Sequence, residues 1–432
     1  MRLWVFILTC LGFQSLCSQG GYLKVAMEVE QYLNHVKIQD GTSTTWAIKP
    51  EVDSMVDLNL YSGISGIILF YLELYHSTGD TRYLDEATAG ANALLNEEVP
   101  AAIPSYLLGM YTGAAGKAYT LEEVFQTTNN QDYLNKAFQW MKAIKDQLDG
   151  VEEDQRFGGY TDIIYGAAGI GLVSLHFLEH YQEQCLDELL VSCADFLIGA
   201  AQYSAGSVRW KLGSNVPYFM DNFSHGAAGN AYFLLKAYNH TGDDRYLEIA
   251  QKAADYLLSS TNEQGLVCHH DPGGEGLHYL GYCHGPPGTS RLFYAMYELT
   301  EDVKWMKAIR KSANYMIDMD LHENRTPGLW NNEGWCCGTV GICSYLSHSV
   351  YDHPETFERS IKLMEERIYN EAINDQNGIR WLHAENRRSP DELFIQTGLM
   401  QGSAGFGLYY VRRHLSENDK KWSIVLPDEI GN

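Results

Sequence analysis

Gly63-Ile-Ser-Gly66 is the first of seven Gly-x-x-Gly tetrapeptides that recur along the whole chain. The others are Gly113-Ala-Ala-Gly116, Gly166-Ala-Ala-Gly169, Gly226-Ala-Ala-Gly229, Gly285-Pro-Pro-Gly288, Gly338-Thr-Val-Gly341 and Gly402-Ser-Ala-Gly405. Their leading glycines are 50, 53, 60, 59, 53 and 64 residues apart. A near-constant period of this length indicates a protein built from repeated units that stack on their neighbours.

An aromatic residue followed by an aliphatic one recurs with the same period as the glycine tetrapeptides. Twenty residues after the leading glycine, repeats one, two, four and five carry Tyr83-Leu84, Tyr133-Leu134, Tyr246-Leu247 and Trp305-Met306. From Tyr83 the apolar positions continue as Leu84, Ala87, Ala91, Leu94 and Leu95, which lie on one face of an α-helix. In the preceding turn, Ser77-Thr-Gly-Asp80, the glycine can end one helix and the aspartate can cap the next. Each unit is therefore predicted to be two antiparallel helices.

Seven such hairpins predict an all-α fold, an α/α toroid with seven inner and seven outer helices. Each hairpin must bury its apolar face against its neighbours, and a closed ring achieves this for every unit. Paired glycines without Cβ atoms, at the start of each first helix, suit the close approach of backbones in a crowded inner ring. An open solenoid is the alternative. Closure is favoured because chemically active residues recur at one register of the repeat.

That register lies just before the leading glycine. From repeat one to repeat seven the position is occupied by Ser62, Thr112, Tyr165, His225, His284, Cys337 and Gln401, and one residue earlier stand Cys283 and Cys336. In a closed toroid these positions face one mouth of the central cavity. Zinc is bound by cysteine sulfur and histidine nitrogen, and catalytic zinc keeps three protein ligands and one open position. Buried structural cysteines, or a Cys336–Cys337 disulfide, are the alternatives to a metal site.

The motifs resemble those of the lanthionine synthetase C-like family in order and spacing across the chain. They are Tyr61-Ser-Gly-Ile-Ser-Gly66, Asp162-Ile-Ile-Tyr-Gly-Ala-Ala-Gly169, Ser224-His-Gly-Ala-Ala-Gly229, Cys283-His-Gly-Pro-Pro-Gly288, Trp335-Cys-Cys-Gly338 and Gln401-Gly-Ser-Ala-Gly405. The resemblance implies a zinc ion bound by Cys283, Cys336 and Cys337. Cys337 stands where most of the family has histidine, which gives a three-thiolate site like that of some lanthionine synthetases. His284 is expected to line this site, with a role as a ligand left open.

The resemblance also implies two catalytic residues, His225 and Asp162. The implied reaction is the addition of a cysteine or glutathione-type thiol to dehydroalanine or dehydrobutyrine in a peptide, which forms a thioether. A separate dehydratase is expected to make such a substrate, because the seven repeats leave no segment of this sequence for a dehydratase domain. Without the resemblance, Asp162 is typical of a helix cap and His225 of an ordinary hydrogen-bonded side chain.

Two other functions remain open at this stage. A carbohydrate-processing α/α toroid hydrolase needs two opposed carboxylates, and Asp162 is the one acid near the register. A non-catalytic peptide-binding protein would keep zinc as a structural element. Outside the register, the run Cys268-His-His-Asp271 is predicted to be a solvated loop, and Gln401 and Trp335 are predicted to line the cavity.

The N-terminal sequence predicts the compartment of the protein, and the net charge limits the ligands that it can bind. Arg2, the apolar run from Leu3 to Phe13 and the small residues near Cys17 predict a signal peptide over residues 1–19, followed by a single toroid domain over residues 20–432. Secretion through the endoplasmic reticulum is therefore expected. No later run of about 18 apolar residues predicts a membrane-spanning helix. A net charge of −24, from 31 basic and 55 acidic residues, argues against nucleic-acid binding.

An oxidising compartment would also affect the remaining cysteines and the glycosylation sequons. Cys185, Cys193, Cys268 and Cys343 are left after the three expected ligands, and they can form up to two disulfides. The sequons begin at Asn222, Asn239 and Asn324 and mark the chain as a candidate glycoprotein. The sequence leaves the oligomeric state open.

Overall fold

The structure is a computed structural model that describes residues 21–431, except Ala205 and residues 214–215. The predicted signal peptide, residues 1–19, lies outside the described residues, so the boundary between leader and domain stays a prediction. Across the described ranges, no helix has both the length and the apolar character needed to cross a membrane.

The described residues form fourteen α-helices that alternate along the chain between an outer and an inner layer. They are α1 (Gly21–Val36), α2 (Ile64–Thr78), α3 (Thr81–Asn96), α4 (Ala114–Thr128), α5 (Gln131–Leu148), α6 (Ala167–His180), α7 (Gln184–Ala200), α8 (Ala227–Thr241), α9 (Asp244–Ser260), α10 (Pro286–Thr300), α11 (Val303–Asp318), α12 (Thr339–Ser347), α13 (Phe357–Glu371) and α14 (Ser403–Glu417). The even-numbered helices form the inner ring, and most of their residues are buried. The odd-numbered helices cover them and keep one face exposed.

The inner ring is closed. Each even-numbered helix packs against the next one along the chain, and the last, α14, packs against the first, α2. This arrangement confirms the predicted toroid of seven inner and seven outer helices and excludes the open solenoid. The leading glycine of every tetrapeptide is the residue just before an inner helix, which confirms the unit boundaries.

The seventh unit differs from the predicted hairpins. No helix follows α14 in residues 418–431, and α1 packs on α14 as its outer partner instead. The two ends of the chain therefore complete one unit together. Tyr22 of α1 stacks on Tyr410 of α14 with ring centroids 6.2 Å apart.

The predicted turn chemistry is present between paired helices. Gly79 has a φ of 72° after α2, a left-handed conformation that glycine adopts without a steric penalty. The Asp80 side chain then accepts a hydrogen bond from the backbone N–H of Arg82 at 3.1 Å, which caps α3. Gly242 and Asp243 repeat the arrangement between α8 and α9.

The second glycine of each tetrapeptide is required by close packing. A Cβ atom added at Gly116 would lie 1.9 Å from the carbonyl oxygen of Met110 and 3.1 Å from Cβ of Leu60 in the preceding unit. At Gly169 the carbonyl oxygen of Ile163 would be 2.0 Å away. The close approach predicted between units is present, but at Gly116 and Gly169 the tighter contact is with the loop just before the same helix.

In the described part of the chain, three antiparallel β-hairpins connect outer helices to the next unit. Their strands are β1 (Lys37–Asp40) with β2 (Ser43–Trp46), β3 (Gln202–Ser204) with β4 (Ser207–Arg209), and β5 (Ile373–Asp375) with β6 (Gly378–Arg380). A tryptophan ends or follows each hairpin, and its indole N–H donates to a carbonyl in the last turn of the outer helix. The three pairs are Trp46 with Leu33, Trp210 with Leu197 and Trp381 with Ile368, at 2.9, 2.7 and 2.8 Å. Each bond satisfies a helix-end carbonyl that lacks an intrahelical donor.

A C-terminal segment, residues 422–430, fills the interior of the inner ring. Its Asp428 is fully buried and accepts hydrogen bonds from the Tyr111 hydroxyl at 3.1 Å and from Arg291 Nη1 at 2.9 Å. Glu429 forms a two-pronged ion pair with Arg412 of α14, with both N–O distances at 2.8 Å. The toroid therefore has a filled centre rather than an open pore.

Candidate metal and catalytic site

The loops before the inner helices are joined into a ring by backbone hydrogen bonds. The N–H of Ser224 donates to the carbonyl of Cys283 at 3.0 Å, and the N–H of Cys283 donates to that of Cys336 at 3.0 Å. The ring continues through Cys336 to Met400, Met400 to Tyr61, Tyr61 to Tyr111, Tyr111 to Ile164, and Ile163 to Ser224. These bonds fix the register position of one repeat against the same position of the next. They therefore bring the predicted site residues of repeats four, five and six together.

Three cysteine sulfurs meet at this ring. Cys337 Sγ lies 3.3 Å from Cys283 Sγ and 3.6 Å from Cys336 Sγ, and all three sulfurs lie within 4.8 Å of one another. A tetrahedral zinc ion with bonds of about 2.3 Å would separate its sulfur ligands by about 3.8 Å. The cluster can therefore bind a metal ion, as the sequence predicted. All three side chains are free thiols, so the alternative of a Cys336–Cys337 disulfide is wrong.

The protons of these thiols are strongly coupled. Hydrogen bonds from the Cys283 and Cys337 thiols hold the pKa of Cys336 well below its ordinary value. The same hydrogen bonding to Cys336, together with burial, raises the pKa of Cys283. One sulfur is thus ready to ionise, while full deprotonation of the cluster needs a cation to offset the buried negative charge.

Gln401 supports the sulfur cluster from the seventh repeat, as predicted. Its Nε2 lies 3.7 Å from Cys337 Sγ and 3.1 Å from the Tyr61 hydroxyl, and its Oε1 accepts from Asn332 at 2.9 Å. The prediction that Trp335 lines the cavity with the thiols is wrong. Its ring packs over the Arg412 guanidinium at 5.2 Å and lines a separate cavity beside the C-terminal segment.

His225 and Asp162 form a hydrogen-bonded dyad. His225 Nδ1 lies 2.8 Å from Asp162 Oδ2, and Asp162 Oδ1 accepts the backbone N–H of Tyr165 at 3.2 Å. Burial raises the pKa of the fully buried Asp162 carboxyl, while the hydrogen bond to His225 acts in the opposite direction. Asp162 is not the cap of α6, because the N-cap residue of that helix is Gly166 and no side chain caps it.

The histidine of the dyad is held so that one nitrogen stays available. The Asn222 side chain accepts the His225 backbone N–H at 2.8 Å, and the Tyr165 ring stacks on the imidazole with centroids 6.0 Å apart. The side chain of His225 keeps 20% of its surface exposed. Within the described part of the chain, its Nε2 has no hydrogen-bond partner, so this atom can exchange a proton with a ligand.

The sulfur cluster and the dyad open onto the same space. A cavity of about 350 Å³ is lined by His225, His284 and the three cysteines. A second cavity of about 450 Å³ adjoins it and shares Tyr61, Tyr279, His284, Cys337 and Glu385. The predicted convergence of the register residues on one mouth of the toroid is therefore present in the structure.

His284 and His269 add an imidazole pair to the wall. His284 is buried, and neither of its ring nitrogens has a partner among the described residues. Burial lowers the pKa of His284 well below its ordinary value and lowers the pKa of His269 to about 4. The two rings stack at 4.3 Å. The prediction of a solvated loop for the Cys268–Asp271 run is therefore wrong for His269, which lines the cavity. The clustering of cysteine and histidine in this run was the sequence feature that could have indicated a place in the site.

Two further wall residues come from loops outside the repeat register. Glu385 lies 3.7 Å from Lys49 Nζ, and Arg387 Nε donates to the Tyr279 hydroxyl at 3.2 Å. Both follow β6 in a long loop over the mouth of the cavity. No sequence periodicity singles them out, because the loop belongs to one repeat only.

The predicted modifications are only partly compatible with the structure. Cys185, Cys193, Cys268 and Cys343 are free thiols, so neither of the two allowed disulfides is formed. Asn222 is fully buried and holds the loop of His225, so its sequon cannot carry a glycan in the folded protein. Asn239 and Asn324 are exposed, and glycosylation there stays a prediction.

Comparison with known proteins agrees with this architecture. A family model described as lanthionine synthetase C-like protein matches residues 54–426. This chain belongs to that family. It is 23% identical to glutathione S-transferase LANCL1 of Danio rerio over 325 residues, which cover 63% of this chain and 77% of that protein.

Two solved structures superpose on most of the chain. Nisin cyclase superposes with a TM-score of 0.61 and 16% identity, covering 91% of this chain and 93% of the cyclase. The GH76A α-1,6-mannanase from Salegentibacter sp. HEL1_6 superposes with a TM-score of 0.49 and 15% identity, over 91% and 99% of the two chains. The first likeness supports the α/α toroid.

Proposed function

We propose that this protein is a zinc-dependent enzyme that adds a cysteine or glutathione-type thiol to dehydroalanine or dehydrobutyrine in a peptide, forming a thioether. One observation carries the proposal: three convergent thiols and His225, which is hydrogen-bonded to the buried Asp162, face a single cavity. The family includes cyclases, which supports an enzymatic role. A separate dehydratase would have to supply the dehydroamino acid.

The metal proposed for the thiol cluster is zinc. Cys283, Cys336 and Cys337 supply three soft sulfur ligands, and the cavity leaves room for a fourth ligand from the substrate. Bound there, zinc would lower the pKa of an incoming thiol and so favour the thiolate at neutral pH. Gln401 donates toward Cys337, which orients that sulfur and disperses its charge.

The chain's own residues can then handle the proton. The substrate thiol would give its proton to Nε2 of His225, its sulfur would bond to Cβ of the dehydroamino acid, and the π electrons of the double bond would move onto the adjacent carbonyl as an enolate. A proton must reach Cα to complete the thioether. Nε2 of His225 faces the cavity and can hold this proton, while Asp162 fixes the tautomer by accepting from Nδ1. Atoms balance with no oxidant or reductant.

A carbohydrate hydrolase fits the cavity less well. Glu385 is a second acid besides Asp162, and it lines the same cavity as the cysteines. Asp162, however, is fully buried, and both of its oxygens already accept hydrogen bonds from His225 and Tyr165. It cannot face a sugar as the opposed carboxylate that hydrolysis requires.

A peptide assay tests the proposal. Zinc-loaded protein is incubated with a dehydrated peptide that contains one cysteine, and separately with glutathione and a dehydroalanine peptide. Loss of free thiol, measured by alkylation and mass spectrometry, is the expected result. The Cys283→Ala variant should lose both zinc and activity, whereas Cys337→His should keep zinc.

Cys185→Ala is the matched control, because Cys185 lies on the outer helix α7, away from the cluster. It should retain zinc and thiol consumption. Full zinc occupancy with no thiol consumed across several peptides would instead favour the non-catalytic peptide-binding protein. We further propose that the protein is secreted, on the strength of the predicted leader, which a test for N-terminal processing in secreted material would check.

A further inference from the structure

A second cluster of metal-ligating side chains lies at the opposite end of the inner ring from the thiols. His176 and His180 stand four residues apart in the last turns of α6, so they project from one face of the helix. Glu122 projects toward them from the neighbouring helix α4. The ligating atoms of the three side chains lie within 4.8 Å of one another. The rise along α6 places this cluster about 20 Å from the mouth with the thiols.

The carboxylate of this cluster is positioned in advance. Glu122 is fully buried, and its Oε2 lies 2.8 Å from His176 Nε2. Its Oε1 accepts hydrogen bonds from the Tyr181 hydroxyl at 2.9 Å and from Gln126 Nε2 at 2.6 Å. Two such outer donors are typical of a metal-binding carboxylate, because they fix its orientation while leaving one oxygen for the ion.

The local charge also favours a cation. Glu123 Oε1 lies 3.8 Å from His176 Nε2, and Glu179 lines the same cavity. Three carboxylates thus surround one imidazole at the C-terminal end of α6, where the helix dipole is negative. Lys236 lines the same cavity and offsets part of this negative charge, and burial raises the pKa of Glu123 to about 7, so the excess of negative charge near neutral pH is modest.

The cluster opens onto a large cavity rather than a sealed core. That space is about 720 Å³ and is bounded in part by Ser423, Leu426 and Glu429 of the C-terminal segment. His180 is exposed at its edge, so its ring is free to adjust to an ion. Two histidines and one carboxylate with an open fourth position form a known type of zinc ligand set.

We propose that Glu122, His176 and His180 bind a zinc-type divalent metal ion at a second site, independent of the thiol cluster. The open coordination position would face the cavity beside the C-terminal segment. Because His176 packs edge-on against Tyr119 at 4.9 Å, and the Tyr119 hydroxyl donates to the carbonyl of Val425 at 2.9 Å, the ion would also anchor that segment.

Counting bound zinc in single variants tests this site separately from the thiols. After equilibration with buffered Zn²⁺ and gel filtration, the full chain should carry two ions, measured by elemental analysis. His180→Ala should carry one ion and Cys283→Ala should carry the other. His240→Ala is the matched control and should carry two, because His240 lines the same cavity but pairs with Asp187 at 3.0 Å.

The outcomes separate the two sites. Two ions retained in His180→Ala, or a single ion in the full chain that Cys283→Ala removes, would overturn the second site. A single ion that His180→Ala removes would support it and would count against zinc at the thiols. His180 is exposed, so its truncation should leave the fold intact.

A positioning variant gives an independent readout. Tyr181→Phe removes the hydroxyl that holds Glu122 and should weaken zinc binding at this site by about 10-fold or more, measured by competition with a chromophoric chelator in the Cys283→Ala background. A merely structural role for this hydroxyl would leave the zinc affinity unchanged, and that result would count against the proposal.

Discussion

Replacement of Asp162 by asparagine tests whether the dyad holds His225 in a working tautomer. The backbone N–H of Tyr165 needs an acceptor at one side-chain oxygen, at 3.2 Å. The asparagine carbonyl would stay there, so its amide NH₂ would face His225 Nδ1 at the position where the carboxylate now accepts at 2.8 Å. Nδ1 must then become the acceptor, and the ring proton moves to Nε2.

The size of the effect follows from this tautomer change. With a proton on Nε2, the neutral imidazole can no longer accept a proton from the cavity side. Loss of a positioned general base lowers rates by about 10²–10⁴-fold, or about 3–5 kcal/mol in the activation free energy. We expect a loss of this size in kcat/KM for thioether formation, with zinc content unchanged, because Asp162 is not a ligand.

The assay is thiol consumption by zinc-loaded Asp162→Asn with a dehydrated peptide, next to metal analysis of the same sample. Asp428→Asn is the control: Asp428 is equally buried and hydrogen-bonded, but it pairs with Arg291 in the interior of the ring. It should lower stability and leave the activity of the folded protein intact. Wild-type activity in Asp162→Asn at full zinc occupancy would refute this reasoning.

Three further predictions concern stability. Glu429→Gln should lower the free energy of unfolding by about 3–5 kcal/mol, because it leaves the buried Arg412 without its carboxylate; in urea titrations, adding Arg412→Met should recover part of this loss, and additive losses would contradict the pairing. Burial lowers the pKa of His348 to about 4, below its unfolded value of about 6.5, so its contribution to stability is present above pH 6.5 and is lost as the pH falls toward 4. His348→Asn should flatten that part of the urea-midpoint profile, and an unchanged slope would count against it. Gly116→Ala should cost about 1–3 kcal/mol or more in thermal or urea unfolding, because its Cβ would overlap a backbone carbonyl, and a neutral result would contradict this contact.

The periodic features of the chain were readable from its sequence. Glycine spacing, helix-face apolar positions and turn residues such as Gly79 and Asp80 are local signals, and each has a direct physical consequence for the backbone. Closure of the ring then followed from the register of the cysteines and histidines. The convergence of Cys283, Cys336 and Cys337 was predictable for the same reason, since equal positions in successive units become neighbours.

The irregular loops and the C-terminal segment could not be predicted from such periodic patterns. Glu385, Arg387 and His269 reach the cavity from irregular loops, and loop paths depend on tertiary contacts that no local pattern encodes. The burial of the C-terminal segment was not predicted because it depends on ion pairs with inner helices, and one of these partners, Arg291, lies 137 residues before Asp428. Sequons likewise carry no information on burial, so the sequence alone does not show that Asn222 is buried.

The pairing of α1 with α14 has a consequence for how the protein is made. A ribosome completes α1 almost four hundred residues before it completes the helix that covers it. Until then, the buried face of α1, with Tyr22, Val25 and Val29, has no permanent partner, and six units can assemble only into an open arc. Newly made chains therefore expose this apolar face during synthesis. A chaperone that binds the face would delay ring closure until it dissociates.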